Sequence, residues 1–414
     1  MVHRRQLSAF DLGLLAVTLT TLSTLVVWLE QRSSYQETQQ RRLHLQIQGQ
    51  SHQQSFKILQ LADLHFGEAS DTDWGPQQDI NSLNVLDSVI PLEQPDLIIL
   101  SGDQITANNI DQNATAVYRR ICDKLQHYGV PWAMIFGNHD DAPLEVDDSQ
   151  DETKIIVTPA RTSREDLFHV DHSFAPLSLT RRGAESVFGV SNYVLDVFYN
   201  GSGTGNSHSN TVALQLLFLD SGGGTLPKQL LANQVDWFHQ RRKHHQGIPM
   251  VAFQHIPTKE FEYDGNTCQG MQDDGVDALS PDANMVDALL NDGNVHFLAV
   301  GHQHGNDYCC SYQSSSSNND NNDNGNNLHL CFGRHSGYGG YGSWDRGARV
   351  YELYLNNNNV AGVTGGGEEE SDADEEQEPT FTWNSWVRME SGDVQDEYNP
   401  FGNGQDDDAE YRLR

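Results

Sequence analysis

Apolar and polar positions alternate along this chain in short blocks separated by polar breaks. The block Phe56–His65, FKILQLADLH, gathers Phe56, Ile58, Leu59 and Leu61 into a run that fits a buried strand and ends on Asp63 and His65. Asp79–Ile90 then carries Ile80, Leu83, Leu86, Val89 and Ile90 at helical spacing. The pattern continues with a strand over Asp96–Leu100, a helix over Thr115–Tyr128 and a strand over Val130–Phe136. Pro143–Arg182 is polar and weakly patterned and reads as an excursion over the surface. Strands follow at Tyr193–Phe198, Val212–Asp220, Pro249–Phe253 and Val295–Val300, with a helix over Lys228–His245. Leu328–Phe332 and Ala348–Leu355 read as further strands, and Phe381–Met389 has the pattern for one more. Such alternation argues for βαβ units around a largely parallel central sheet.

The flanking segments read differently. Leu12–Leu29 is an uncharged apolar run behind Arg4 and Arg5. It is near the lower limit for spanning a bilayer and long for a signal-peptide core. No small-x-small cleavage site follows, so residues 1–30 read as a signal anchor, with a cleaved signal peptide as the alternative. The basic pair favours a cytosolic N-terminus and a chain otherwise across the membrane. The expected localisation is therefore the secretory pathway or extracellular side, single-pass, or secreted if the segment is removed. Residues 31–54 form a polar linker, 55–356 the patterned domain, and 357–414 an acidic, mostly disordered tail with one strand's worth of pattern at 381–389. Ser314–Asn327 is a Ser/Asn/Asp tract that cannot offset its ordering entropy with core contacts, and it reads as a disordered insertion at about 313–327.

The formal net charge of −33 sets these segments in context, because much of it lies in the acidic tail. It argues against nonspecific nucleic-acid binding, since polyanions are repelled. The five cysteines, Cys122, Cys268, Cys309, Cys310 and Cys331, contain no CxxC pair, which argues against a zinc–thiolate site. If the chain is lumenal, disulfides are permitted. A bridge from Cys309 or Cys310 to Cys331 would close the Asn-rich insertion, and the odd count leaves one thiol over. Asn113 and Asn200 stand in glycosylation sequons.

Five of the apolar blocks share one layout, a strand whose far end delivers Asp, Asn or His. They supply Asp63/His65, Asp103, Asn138/His139, His255 and His302/His304. A lone Gly-Asp is usually a turn, and a lone His beyond a strand is usually a hydrogen-bonded structural group. Gly-His-x-His is sharper, because two imidazoles two residues apart in extended chain point the same way. Polar groups at the carboxyl ends of strands lie where α/β sheets bind ligands, so the recurrence outweighs each single accident.

With these motifs in this order, DxH, GDx, GNHD, an isolated His and GHxH, the chain resembles the calcineurin-like metallophosphoesterases over about Phe56–Leu355. More narrowly it is similar to their purple acid phosphatase 29/16-like, or Dcr2-like, branch, through ADLHFGE (62–68), SGDQIT (101–106), FGNHDD (136–141), FLDSG (218–222) and GRHSGYGGYGSWDRGARV (333–350). The resemblance implies a four-layer α/β/β/α sandwich with mixed central sheets. It also implies one metal ion held by Asp63, His65, Asp103 and His304, and a second held by Asp103, Asn138, His255 and His302. Oxygen and imidazole donors without thiolate suit Fe, Zn or Mn.

The implied reaction is phosphomonoester hydrolysis by a metal-bridging hydroxide, with His139 as general acid. Phosphodiester or nucleotide pyrophosphate hydrolysis on the same site is an alternative, and a non-catalytic metal-binding module is another. The expected substrate is a phosphorylated small molecule or phosphoprotein. One departure stands out: purple acid phosphatases proper place a tyrosinate ligand three residues after the bridging aspartate, and here that position is Thr106. No tyrosinate-to-iron colour is therefore expected. The GYGGYG stretch at 337–342 reads first as a tight packed turn. Its functional reading would bring Tyr338 and Tyr341 to the pocket and Arg334 or His335 to the phosphate.

Overall fold

The computed structural model describes residues 42–47, 53–148, 151–200, 211–262, 264, 267–313, 327–356 and 380–401. The segment 1–30, most of the 31–54 linker, the insertion at 314–326 and the acid run Glu368–Glu378 lie outside the described residues.

Two mixed sheets carry the fold. In chain order the strands are β1 (Leu43–His44), β2 (Gln46–Ile47), β3 (Gln53–Leu61), β4 (Leu97–Leu100), β5 (Trp132–Met134), β6 (Leu144–Asp148), β7 (Asp151–Thr158), β8 (Tyr193–Phe198) and β9 (Val212–Phe218). They continue as β10 (Met250–Phe253), β11 (Cys268–Gln269), β12 (Val295–Val300), β13 (Cys309–Tyr312), β14 (Leu328–Phe332), β15 (Gly347–Asn356), β16 (Thr380–Met389) and β17 (Val394–Tyr398). One sheet runs β17-β16-β15-β3-β4-β5 with β2 beside β3, and the other β1-β8-β9-β10-β12-β14-β13-β11. The single, largely parallel sheet read from the alternation is thus corrected. β15 returns antiparallel to β3, and β8 and β13 run against β9 and β14. An apolar pattern carries no record of strand direction.

Alternation within the strands assigns the layers. Phe56 and Ile58 of β3, Leu97 and Ile99 of β4, and Phe253 and Phe297 of the other sheet meet in one buried cluster between the sheets. Leu59, Leu61, Ile98 and Leu100 point the opposite way, onto the helices Gly75–Glu93 and Ala114–Tyr128. The second helix buries Tyr118, Ile121, Cys122 and Leu125, one stripe of a 3.6-residue period. On the far side, Leu217, Ala252 and Leu298 pack with Phe238 and Leu289, which lie on the helices Ala232–Arg242 and Met285–Asp292. The order is α/β/β/α.

Several boundaries shift against the sequence reading. β1 and β2 lie inside the expected linker, while the strand expected at 381–389 is β16, which pairs along all of β15 before handing on to β17. The excursion 143–182 contains the β6–β7 hairpin and a helix, Arg164–His172, whose Ser163 and Asp166 form a capping box. Disulfides join Cys309 to Cys331 and Cys268 to Cys310, leaving Cys122 as a buried free thiol. The expected single-pass localisation is also corrected: no helix among the described residues is long and apolar enough to cross a membrane, and the 12–29 run is not among them. Of the sequon asparagines, Asn113 is exposed, while Asn200 is half-buried with its backbone tied to the Gln54 side chain.

Candidate metal centre

β3, β4 and β5 of one sheet and β10 and β12 of the other all end at one rim, and each delivers its polar residues two to five positions further on. The backbone there is unusual. Asp63, His65, Asp103 and His302 have φ values of 56°, 49°, 52° and 78°, in the left-handed region. Non-glycine residues in that region cost about 1–3 kcal/mol each and persist only where the surroundings over-determine them. Cross-loop hydrogen bonds do this: Asp63 N donates to Gly102 O at 3.2 Å, His65 N to Asp103 O at 2.9 Å and Gly301 N to His255 O at 3.0 Å. Gly102 has no alternative residue, because a Cβ at its φ of 105° would lie 2.2 Å from His255 Nδ1.

Two donor sets result. Asp63, His65 and His304 form one and Asp103, His255 and His302 the other, with the donor atoms of each set within 4.8 Å of one another. Asp103 Oδ2 lies 3.7 Å from His65 Nε2 and 3.1 Å from His255 Nε2, so it stands between the sets. Asn138 Oδ1, 3.3 Å from His255 Nε2, joins the second. The seven ligand candidates among the residues picked from the strand ends therefore converge.

The ring nitrogens are assigned by their outer partners. His304 Nδ1 donates to Tyr341 O at 2.8 Å and His255 Nδ1 to Ser101 O at 2.9 Å, because a carbonyl can only accept. Their Nε2 lone pairs are left for the cluster. His65 Nδ1 meets Thr106 Oγ1 at 3.0 Å, so the residue standing where a tyrosinate is absent orients a ligand candidate instead. His302 turns its Nε2 to Asp277 at 3.3 Å.

Electrostatics point the same way. Burial pushes the His302 and His304 imidazoles down to about 3 and 4, and His65 well below its usual range. They stay neutral, the form that coordinates a metal. Burial lifts the Asp63 carboxyl to about 7, with Asp103 adding to the rise. Burial opposes charge on Asp103 too, yet His255 and His139 hold it well below the carboxylate range. Burial lowers His255 as well, but Asp103 outweighs it and raises that imidazole to about 9, so a metal bound there would displace its proton. Carboxylates and imidazoles packed together, with no lysine or arginine among the donors, fit divalent or trivalent cations.

Beside the donors, His139 N donates to Asp103 Oδ1 at 2.7 Å and its Nδ1 lies 2.9 Å from Asn108 Oδ1. The ring centre is 5.0 Å from that of His65, at the half-exposed edge of the cluster. Asp140 is buried and accepts from the backbone of Asp103, Gln104, Ile105 and Gly137, at 2.7–3.2 Å, which pins the two loops. A depression of about 490 Å³ opens beside His302, lined also by Asp274–Asp277, Gln303 and Tyr341.

The expected phosphate contacts are corrected. The Arg334 guanidinium is spent on Asp307 and the Asp345 carbonyl, and the Tyr338 hydroxyl donates to Glu390 at 2.6 Å. His335 is fully buried, its ring 3.9 Å from that of His304, as a wall behind the cluster. Of the glycine-rich stretch it is Tyr341 that reaches the site, stacked on His304 at 4.0 Å. Sequence reasoning missed Arg164 entirely. The Ser163-x-x-Asp166 capping signature marks its helix, but nothing local marks its burial.

A family model described as calcineurin-like phosphoesterase matches residues 56–306, more than half of the chain. The probable inactive purple acid phosphatase 29 of Arabidopsis thaliana is 29% identical, over 86% of this chain and 88% of its own length. The phosphatase DCR2 of Saccharomyces cerevisiae is 28% identical over 74% of this chain, which spans about half (52%) of that protein. Among solved structures, a dimetal phosphatase from Danio rerio aligns with TM-score 0.45 and 11% identity, covering 72% of this chain and 95% of that one. With the ordered motifs, the converging donors and the family match on the same residues, the chain belongs to the calcineurin-like phosphoesterases.

Proposed function

We propose that this protein is an active binuclear metallophosphatase that hydrolyses phosphomonoesters. The observation that carries the reading is the complete pair of donor sets sharing Asp103. Asp63, His65, Asp103 and His304 would hold one ion and Asp103, Asn138, His255 and His302 the other, as Fe, Zn or Mn. When bound, such a pair supplies Lewis acidity to the phosphoryl oxygens and acidifies a water.

The chain's own residues do the rest. Asp103 fixes the spacing of the two positions. His139, whose Nδ1 donates to Asn108 Oδ1, has Nε2 left over. In the cationic ring Nε2 carries the second proton, which it would pass to the departing alkoxide, leaving the ring neutral, a step worth about 10²–10⁴-fold. The names of the relatives above, phosphatases both, support a phosphoester substrate. One of them is called inactive, but here no donor position is lost. Thr106 in place of tyrosine supports an uncoloured centre if iron binds.

Metal analysis of the purified chain with a phosphate-release panel tests this. Two ions per chain and phosphomonoester turnover are expected. Equal or better turnover of a bis-ester would overturn the monoester assignment, and a loaded protein without turnover on any ester would overturn the enzyme.

A further inference from the structure

Arg164 is 3% exposed, and its partners Asp141 and Asp220 are 1% and 0% exposed. Its Nε donates to Asp141 Oδ1 at 3.1 Å and its Nη1 to Asp220 Oδ1. Nη2 donates to the carbonyls of Gly137, Gly222 and Gly223 at 3.1, 3.0 and 2.9 Å. One guanidinium thus joins the residue before Asn138 to the Asp220–Gly224 loop beyond β9. Every arm of the buried charge's fork is engaged.

That loop backs the second donor set. Gly223, at φ 89°, packs so tightly behind Asn138 that a Cβ there would lie 2.4 Å from the Asn138 Cβ. Ser221 Oγ accepts from Ile256 N at 3.1 Å, fixing the residue after His255. Asp220 is itself anchored by the backbone N–H groups of Val190 at 2.7 Å and Ser191 at 3.1 Å. Thr225 donates to the other oxygen of Asp141, closing the frame. The first set is held by other groups, Thr106 on His65 and Tyr341 on His304.

We propose that Arg164 is a positioning residue for the second ion: a buried clamp, touching no ligand, that sets Asn138 and His255 through the Asp220–Gly224 loop. This rests on the two-ion reading of the site. It gives a role to the FLDSG motif at 218–222, which the donor sets alone leave without one. It also explains why a polar, irregular excursion returns to the core at Arg164.

Manganese(II) titration of the full chain, Arg164→Met against wild type, tests it with a readout other than turnover. Wild type should take two ions and give an exchange-coupled electron paramagnetic resonance spectrum. Arg164→Met should keep the first affinity, lose the second by about 10–100-fold, as remote orienting partners of metal ligands do, and give an uncoupled six-line spectrum. Adding Asp63→Asn should then remove the remaining ion.

A folded Arg164→Met protein with two ions at unchanged affinity, or with both weakened equally, overturns the clamp, as does an ion that survives Asp63→Asn. If circular dichroism shows that Arg164→Met does not fold, Arg164→Lys is read instead. Its single ammonium cannot span the same acceptors, so it should weaken the second ion selectively, and wild-type behaviour would overturn the proposal. Wild type that binds fewer than two ions would instead sink the two-ion reading itself.

Discussion

β12 and β14 each carry histidine near both ends, and the two ends put it to different use. At their starts lie His296, stacked on Phe381 at 4.1 Å, and His329, with Nδ1 2.8 Å from the Tyr398 hydroxyl and its ring against Trp383. Just past their finishes lie His302, His304 and His335. Burial drives the imidazoles at both ends towards neutrality, His296 and His329 to about 4. What separates the ends is company. At the finishes His302 and His304 join donor sets with two carboxylates and an amide oxygen, and His335 packs behind them. At the starts the rings meet mainly other rings. A buried neutral histidine is thus a packing group among aromatics and a ligand only among oxygen donors.

Asp103→Asn should break the contrast most severely. It weakens the shared donor, so both ions and all turnover are expected to be lost together, as read by metal analysis and phosphate release. A variant that keeps both would show that Asp103 does not join the sets. His139→Ala should keep the ions and lose about 10²–10⁴-fold in rate. The loss should be largest for esters with poor leaving groups, and unchanged kinetics would remove it from the reaction. Thr106→Val should cost about 10–100-fold in affinity for the first ion, by freeing the His65 ring, and a metal titration would show it.

The smallest effect belongs to the strand starts. The folded chain holds His296 and His329 at about 4, below the ordinary 6.5. From pH 6.5 down to about 4 the unfolded chain takes up these protons first, so stability falls as pH falls across that window. Denaturant titrations of His329→Gln against wild type should show a flatter fall in the variant. Identical slopes would mean that this ring is charged in the folded chain as readily as in the unfolded one.

The ligand candidates were legible because each is written in two to four consecutive residues next to an apolar run. Asp63 and His65, or His302 and His304, need only a strand and its first turn to be recognised. Strand direction was not legible: β15 and β3 look alike whether they run together or opposed. The strand pattern at 381–389 was legible and is β16, but its pairing with β15 was not, nor was β17, because an acidic run separates them in sequence from the rest of the sheet. Arg164 escaped for a sharper reason. Its neighbours in sequence are polar and its partners lie 23 and 56 positions away, so only the folded chain brings them together. The glycine-rich stretch shows the same limit, since residue type suggested Arg334, Tyr338 and Tyr341 alike, and geometry keeps Tyr341 alone at the site.

The Cys309–Cys331 bond joins two residues directly opposite each other on β13 and β14. The segment between those strands is therefore tethered at its base, whatever its length. A longer or shorter tract there should leave the His302–His304 turn undisturbed, which makes that spot a natural port for grafting an epitope or reporter without cost to the centre.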